Sequence, residues 1–109
     1  MNVVFIGSSK FGLKCLEHLN RLEYCTITGA VTAPSKFSIS YRPEGMTNIL
    51  HADLSSYCYE RKIPCETIKS GMNDAELLQK VRMWKPQVFI VAGWYHIITK
   101  PWRDIAPAF

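Results

Sequence analysis

Two short stretches contain the residue types from which a binding site could be built. The first is Gly7-Ser8-Ser9-Lys10-Phe11-Gly12, which follows a short apolar run and opens a helical pattern. Backbone N–H groups at a helix N-terminus attract an anion, and Lys10 adds a positive charge. The second is Trp94-Tyr95-His96-Ile97-Ile98, which follows the apolar run of residues 87–92. These residues could form the apolar wall of a pocket for a flat heteroaromatic ligand, whose polar edge would hydrogen-bond to the backbone of His96 to Ile98.

Each stretch also has a purely structural interpretation. The first could be an ordinary strand-to-helix turn without a ligand, and an anion-binding role and a plain turn stay equally open on this pattern. In the second, large apolar side chains could simply pack inward. However, five bulky residues after a strand are more than a turn needs, and ligands of open α/β sheets bind at the carboxyl ends of the strands.

The common phosphate-binding motifs do not fit the first stretch. In the dinucleotide pattern G-x-G-x-x-G, Ser9 stands where a glycine must let the backbone approach the pyrophosphate. The next predicted strand ends at Thr32 and supplies no Asp or Glu for a ribose hydroxyl. The Walker A motif fails as well, because Leu13 follows Gly12 where a lysine is required. NAD binding and P-loop nucleotide binding are therefore not expected.

The three histidines are weak candidates for catalysis. We predict that His18 lies on the solvated side of the first helix, and that His51 belongs to the start of the second helix and not to an active-site pair. His96 follows the last predicted strand, so it could face a pocket or simply lie on the surface.

The four cysteines form no C-x-x-C pair, which favours free thiols in a reducing compartment. Zinc binding by Cys58, Cys65 and a histidine is an alternative, but the spacing matches no standard zinc motif. No metal site is predicted.

Length and composition indicate one globular domain. The chain has 109 residues, of which 48% are hydrophobic and 20% charged, so disordered and fibrous classes are excluded. No apolar stretch reaches the roughly 18 residues that a membrane span needs. Residues 1–7 enter a strand directly and do not resemble a signal peptide, so we expect a cytoplasmic protein without membrane contact. The net charge of +4 is mild and its basic residues are scattered, which makes direct nucleic-acid binding a weak hypothesis.

Strand and helix patterns alternate along the chain. Strands are predicted over residues 2–6, 25–32, 65–68 and 87–92, the last of them as a central strand buried on both faces. Residues 33–46 are predicted to be a long loop, because Pro, Ser and Gly interrupt any pattern. The alternation predicts an α/β fold: a three-layer, Rossmann-like parallel sheet in strand order 3-2-1-4, with helices on both faces.

The helices are predicted from apolar spacing and from caps. The first has Phe11, Cys15, Leu16, Leu19 and Leu22 on its buried face, and either preceding serine could cap it. The second is marked by Leu50, Leu54, Tyr57 and Cys58 and ends before Ile63-Pro64. In the third, Asn73 is the expected N-cap, paired with Glu76, and the buried residues are Leu77, Leu78, Val81 and Trp84. Residues 101–105 could form one further helical turn.

Several of these stretches, in this order, resemble the N-terminal half of the formyltransferase family, which includes methionyl-tRNA, glycinamide ribonucleotide and sugar N-formyltransferases. The segment from Val4 to Phe11 is similar to the first strand of that family and its F-x-G-[ST]-x-x-F turn. Val31-Thr32-Ala33-Pro34 resembles the end of the second strand, and Arg61-Lys62-Ile63-Pro64-Cys65 resembles the entry to the third. Residues 85–98 resemble the K-P-D-hydrophobic-A-Y/G-x-x-I-L segment.

This resemblance implies transfer of a formyl group from formyltetrahydrofolate to an amine. The pteridine would lie against Trp94, Tyr95, His96, Ile97 and Ile98, and the turn of Gly7, Ser8, Ser9, Lys10 and Phe11 would face the acceptor. Gln87 stands where the family usually has Asp, and Thr99 stands where a proline commonly follows. Residues 35–46 lack the Gly- and Arg-rich character of the tRNA enzymes, which favours an amino sugar or another small amine over methionyl-tRNA as acceptor.

The catalytic Asn, His and Asp of that family would follow downstream of Phe109, so no residue of this chain is assigned to catalysis. We therefore expect a folate-binding N-terminal portion, residues 1–109, that is inactive alone and self-associates through the exposed edge of the fourth strand. Two alternatives stay open: a non-catalytic nucleotide- or phosphate-binding module that uses the Gly7 turn, and a Rossmann-like interaction domain without a ligand.

Overall fold

The computed structural model describes residues 1–33, 36–39, 42–47, 53–68, 72, 74–94 and 98–106. In chain order its elements are β1 (Asn2–Ile6), α1 (Lys10–Leu19), β2 (Thr26–Thr32), β3 (Lys36–Ile39), β4 (Arg42–Thr47), α2 (Leu54–Glu60), β5 (Cys65–Thr67), α3 (Ala75–Met83), β6 (Val88–Val91) and α4 (Lys100–Arg103).

The main sheet is parallel, with strand order β5-β2-β1-β6. These are the four strands predicted from apolar runs, so the predicted order 3-2-1-4 is confirmed. The chain moves outward from β1 to β2 and β5, and then crosses back over the sheet to place β6 on the other side of β1. The direction of winding therefore reverses between β1 and β6.

Helices cover both faces of this sheet, which confirms the three-layer architecture. Alternate residues of β1 face opposite ways, so Val3 and Phe5 pack toward α1 and α2 while Val4 and Ile6 pack toward α3 and α4. We call the first cluster the α1–α2 core and the second the α3–α4 core. In the α3–α4 core, the buried Trp102 packs edge-to-face on Phe89 with ring centroids 5.9 Å apart, and its Nε1–H donates to the carbonyl of Met72 at 2.6 Å.

Ser9 caps α1, as predicted for one of the two serines. Its side-chain oxygen accepts a hydrogen bond from the Gly12 backbone N–H at 3.0 Å. The prediction that Phe11 lies on the buried face is wrong, because 67% of this residue is exposed. The buried positions of α1 are Gly12 and Leu16, which are four residues apart and lie on one side of the helix. Phe11 precedes Gly12, so its position is rotated from that side by about 100° around the helix axis.

The N-cap of α3 is Asp74, whose side chain accepts from the Glu76 backbone N–H at 3.0 Å. The prediction of an Asn73 cap is therefore wrong by one residue, and Asn73 itself lies outside the described residues. Asp serves as well as Asn at this position, so local sequence could not choose between neighbours. The predicted buried face is confirmed by the buried Leu77, Leu78 and Val81 and the half-buried Trp84.

α2 begins after Asp53, whose carboxylate accepts from the Ser56 backbone N–H at 3.1 Å. Leu54 and Cys58 are buried and Tyr57 is half-buried, as predicted. Leu50 and His51 lie outside the described residues. The helix ends at Glu60, before Ile63-Pro64, and the short helical turn predicted near Pro101 is present as α4.

The prediction of a loop over residues 33–46 is wrong, since β3 and β4 form an antiparallel pair there. Lys36 is opposite Thr47 and Phe37 is opposite Met46. A two-stranded pair held by backbone hydrogen bonds needs no apolar run, so the polar composition of this stretch concealed it. Pro43 lies within β4, a position that proline tolerates at a strand edge.

β6 is an edge strand and is not buried on both faces as predicted. It pairs with β1, and the described part of the chain provides no strand on its other side. Phe89 is buried, whereas Val88 and Ile90 are half-buried and Val91 is 39% exposed. An apolar run therefore predicted the strand but not its burial. None of the described helices has the length and apolar character required to cross a membrane.

Candidate binding site at the junction of β1 and β6

The turn after β1 and the turn after β6 meet at the carboxyl end of the sheet. The backbone N–H of Ser8 donates to the Gly93 carbonyl at 3.1 Å, and the Ser8 hydroxyl donates to the same oxygen at 3.4 Å. On the other side, the Gly7 N–H donates to the carbonyl of Val31 in β2 at 3.0 Å. The two predicted stretches are thus brought together where the winding direction reverses, which is where open α/β sheets bind ligands.

Three glycines allow this close approach. A Cβ atom at Gly12 would lie 2.6 Å from the Ala92 carbonyl oxygen, and one at Gly7 would collide with the same oxygen. Gly93 has φ +64°, and a Cβ there would collide with the Ser9 hydroxyl. The N-terminus of α1 therefore packs directly on the end of β6, with no space for side chains between them.

The five residues predicted to face an acceptor divide into two groups. Gly7, Ser8 and Ser9 are buried, and their bonds hold the turn in place. Lys10 and Phe11 are exposed, so their side chains are the part of this turn that a ligand could contact. The exposed Phe11 is apolar and precedes Gly12, which packs on Ala92.

Of the residues predicted to line a pteridine, the structure describes Trp94 and Ile98. Both are half-buried and pack against the α3–α4 core, so part of each side chain contributes to the hydrophobic core. Tyr95, His96 and Ile97 lie outside the described residues.

The geometry of Ser9 agrees with the failure of the dinucleotide motif. Its hydroxyl accepts a hydrogen bond from the Gly12 N–H, which is one of the helix N-terminal donors that a phosphate would otherwise use. It also packs against Gly93, so a pyrophosphate could not approach the backbone from that side. Lys10 and the remaining N-terminal N–H groups could still attract an anion.

Thr32 was not predicted as a site residue. It is only 3% exposed at the carboxyl end of β2, and among the described residues its hydroxyl has no hydrogen-bond partner. Because side chains alternate along β2, Thr32 faces the α1–α2 side, opposite to Val31. The signal in the sequence is one hydroxyl at the end of an otherwise apolar segment, Ala30-Val31-Thr32-Ala33.

Elsewhere, His18 is exposed in the last turn of α1, as predicted, while His51 and His96 lie outside the described residues. The described part of the chain contains no cluster of three or more His, Cys, Asp or Glu side chains that could hold a metal ion. Cys58 is buried in the α1–α2 core and Cys65 packs against that core.

A groove of about 450 Å³ lies away from the β1–β6 junction, between α3 and β5. It is lined by Pro64, Cys65, Glu66, Lys80, Met83 and Trp84. The Lys80 ammonium forms an ion pair with the Glu66 carboxylate at 3.1 Å across it, and this hydrogen bond raises the pKa of the lysine. No predicted site residue lies there.

Comparison of the chain with protein-family models and with curated protein sequences finds no match. The functional assignment therefore depends on the residues of the β1–β6 junction and on the resemblance described above.

Proposed function

We propose that the protein takes part in formyltetrahydrofolate-dependent transfer of a formyl group to an amine, and that this chain binds the folate. The observation that carries the proposal is the junction between the Gly7–Gly12 turn and the Gly93 turn. The resemblance to formyltransferases concerns these two segments, which are 85 residues apart at Ser8 and Gly93 and yet hydrogen-bonded to each other. The strand order β5-β2-β1-β6 places both segments where open α/β sheets bind ligands.

In this proposal the two sides of the junction have different ligands. The half-buried Trp94 and Ile98 supply apolar surface for the pteridine, which the resemblance also assigns to Tyr95, His96 and Ile97. Lys10 and Phe11 face the amine acceptor, an amino sugar or methionyl-tRNA, with the small amine favoured. No residue of this chain is assigned to proton transfer or to stabilisation of the oxyanion that formyl transfer generates.

The proposal also includes two properties of the whole protein. The free thiols and the absence of a spanning helix among the described residues are compatible with a cytoplasmic location. The outer edge of β6, where Val91 is exposed, would pair with a second copy of the chain. Sedimentation at increasing concentration should detect this association, and Val91→Lys should weaken it; a monomer at all concentrations would contradict it.

A thermal-unfolding screen tests ligand identity. A ligand at a hundredfold excess over Kd stabilises the folded state by roughly 2.7 kcal/mol, which is a readily measured rise in Tm. We expect stabilisation by 5-formyltetrahydrofolate and not by NAD or ATP. Stabilisation by ATP or phosphate alone would instead support the alternative, a phosphate-binding module that uses Lys10 and the N-terminus of α1.

Two aromatic variants locate the site. Phe11→Ala removes an exposed ring at the junction, and Tyr59→Ala removes a ring that is 85% exposed near the C-terminus of α2, toward the other end of the sheet. We expect Phe11→Ala to reduce binding of a phosphorylated amino sugar and Tyr59→Ala to leave it unchanged, with both variants keeping the Tm of the unliganded protein. Equal effects of the two variants would contradict the placement of the acceptor.

A further inference from the structure

The groove between α3 and β5 is a second opening large enough for a ligand. Its volume of about 450 Å³ falls within the range of small-molecule sites. β5 is at one end of the strand order, so the groove lies beside an edge strand. The lining residues come from β5 and the residue before it, and from one side of α3 and its C-cap: Pro64, Cys65 and Glu66, and Lys80, Met83 and Trp84.

The apolar part of the groove is built around the Trp84 ring. A Cβ added to Gly29 in β2 would collide with three atoms of this indole, so the ring lies directly on the backbone of the sheet. Trp84 also packs against the α3–α4 core but is only half-buried, which leaves part of a firmly held aromatic surface open. Beside it, Met83 is 76% exposed. A thioether and an indole are both favourable contacts for an aromatic ring of a ligand.

The groove also contains one positive and one negative charge. The Lys80 Nζ lies 3.1 Å from the Glu66 Oε1, and both side chains are partly exposed. An ion pair that is open to water contributes little to folding stability, because water solvates both groups. The pair can therefore separate at small cost and accept new partners of opposite charge.

The two charges and the aromatic surface together match one class of small molecule. An α-amino acid carries its ammonium and its carboxylate on the same carbon, so both can form charge-assisted hydrogen bonds with neighbouring groups of opposite sign. A ligand with a single charge would pair with one member of the Lys80–Glu66 pair and be repelled by the other. An aromatic side chain would fill the apolar part of the groove.

We propose that the groove between α3 and β5 binds a free aromatic amino acid. Glu66 pairs with the ligand ammonium, Lys80 pairs with its carboxylate, and Trp84 and Met83 contact its ring. The groove shares no lining residue with the β1–β6 junction, so this site is separate from the proposed folate site.

The test is an NMR titration of the isotope-labelled, unaltered chain with L-phenylalanine. We expect saturable shifts of the Trp84 indole N–H and of the backbone N–H groups of residues 80–84, without shifts at Gly7 and Gly12. Phenylpropionate, which lacks the ammonium, and phenylethylamine, which lacks the carboxylate, should each bind at least about fivefold more weakly. Equal Kd values for the three ligands, or no saturable shift at Trp84 with L-phenylalanine, would overturn the proposal.

Two variants assign the ionic contacts. In Lys80→Gln, L-phenylalanine should bind no better than phenylethylamine, and in Glu66→Gln it should bind no better than phenylpropionate. Both side chains are partly exposed, and the Tm of each unliganded variant checks that it folds. The control is Lys14→Gln at an exposed position of α1, which should leave every Kd unchanged.

Full affinity for L-phenylalanine in both groove variants would contradict the ionic contacts. An equal loss in Lys14→Gln would show that binding follows the net charge of the protein and would overturn the site. None of these ligands is a folate, so the outcome is independent of the proposed function.

Discussion

Ser9 and Gly93 are in direct contact across the junction of β1 and β6, and each also forms a hydrogen bond with another residue there. The Ser9 hydroxyl caps α1 by accepting from Gly12, while the Gly93 carbonyl accepts from Ser8. Because the backbone of Gly93 is left-handed at φ +64° and its Cα faces Ser9, this one residue connects the cap of α1 to the end of β6.

Gly93→Ala should destabilise the protein markedly. A left-handed φ costs an L-residue about 1–2 kcal/mol, and the new methyl group would also collide with Ser9. Chemical denaturation of Gly93→Ala, Ser9→Ala and the double variant measures the two contributions. We expect the double variant to be more stable than the sum of the single effects predicts, since Ser9→Ala removes the hydroxyl that the methyl meets. Strict additivity would contradict the contact.

Thr32→Val should stabilise the unliganded protein by about 1 kcal/mol. The substitution replaces a buried hydroxyl that has no partner among the described residues with a methyl group of similar shape. Thr26→Val, at the exposed start of β2, is the matched control and should change the free energy of unfolding by less than about 0.5 kcal/mol. A loss of stability in Thr32→Val would mean that the hydroxyl is hydrogen-bonded in solution.

Lys62→Gly should also be stabilising. Lys62 follows the C-cap of α2 with φ 57°, a conformation that glycine adopts without the steric cost of a Cβ. We expect a gain of up to about 1 kcal/mol in the free energy of unfolding. The control, Gln79→Gly at an exposed position of α3, should lose about 1 kcal/mol because glycine is unfavourable inside a helix. The same sign in both variants would contradict a steric cost at the left-handed Lys62.

The pKa of Cys58 should lie below that of an ordinary thiol. Its largest cause is the hydrogen bond from the Cys65 thiol, and the charge of Arg61 acts in the same direction, while burial opposes both. The same contact raises the pKa of Cys65, so the protons of the pair are lost in two well-separated steps. Cys58 therefore gives a thiolate as the pH rises, before unperturbed cysteines do.

Ultraviolet titration in a Cys15→Ser, Cys25→Ser background measures this first ionisation. Cys65→Ala should move the midpoint to higher pH, because the donor is lost while burial remains. Arg61→Gln should cause a smaller increase. An unchanged midpoint in Cys65→Ala would show that the thiol contact does not stabilise the Cys58 thiolate. A lowered pKa of Cys58 in the folded state stabilises the protein above the pKa of an unfolded-state thiol, and this contribution is lost as the pH falls through the folded-state pKa.

Sequence reasoning was most successful where a pattern depends on neighbours in the chain. The apolar runs of β1, β2 and β6 and the spacing of Leu77, Leu78 and Val81 predicted elements that the structure contains. It failed for Phe11, for the cap of α3 and for the β3–β4 pair. These outcomes depend on which side of α1 is buried, on which residue begins α3 and on the pairing of β3 with β4. The local sequence allows more than one answer to each.

The candidate site shows the same division. The sequence could indicate that the Gly7 turn and residues 94–98 each suit a ligand, but it contained no information about their separation in space. The packing of Cys65 against the core that contains Cys58 was equally hidden, because the chain reversal between the two residues includes a lysine in a left-handed conformation.

By itself the sequence determined the class of fold and the order of its strands, because alternating strand and helix patterns permit few right-handed parallel arrangements. Only the tertiary structure decided which groups meet: Ser9 with Gly93, and Cys65 with the core that contains Cys58. It also decided that β6 is at an edge and that Phe11 is exposed. Those outcomes depend on packing between segments distant in sequence, where a difference of one residue in a helix start or a turn changes which side chain is buried.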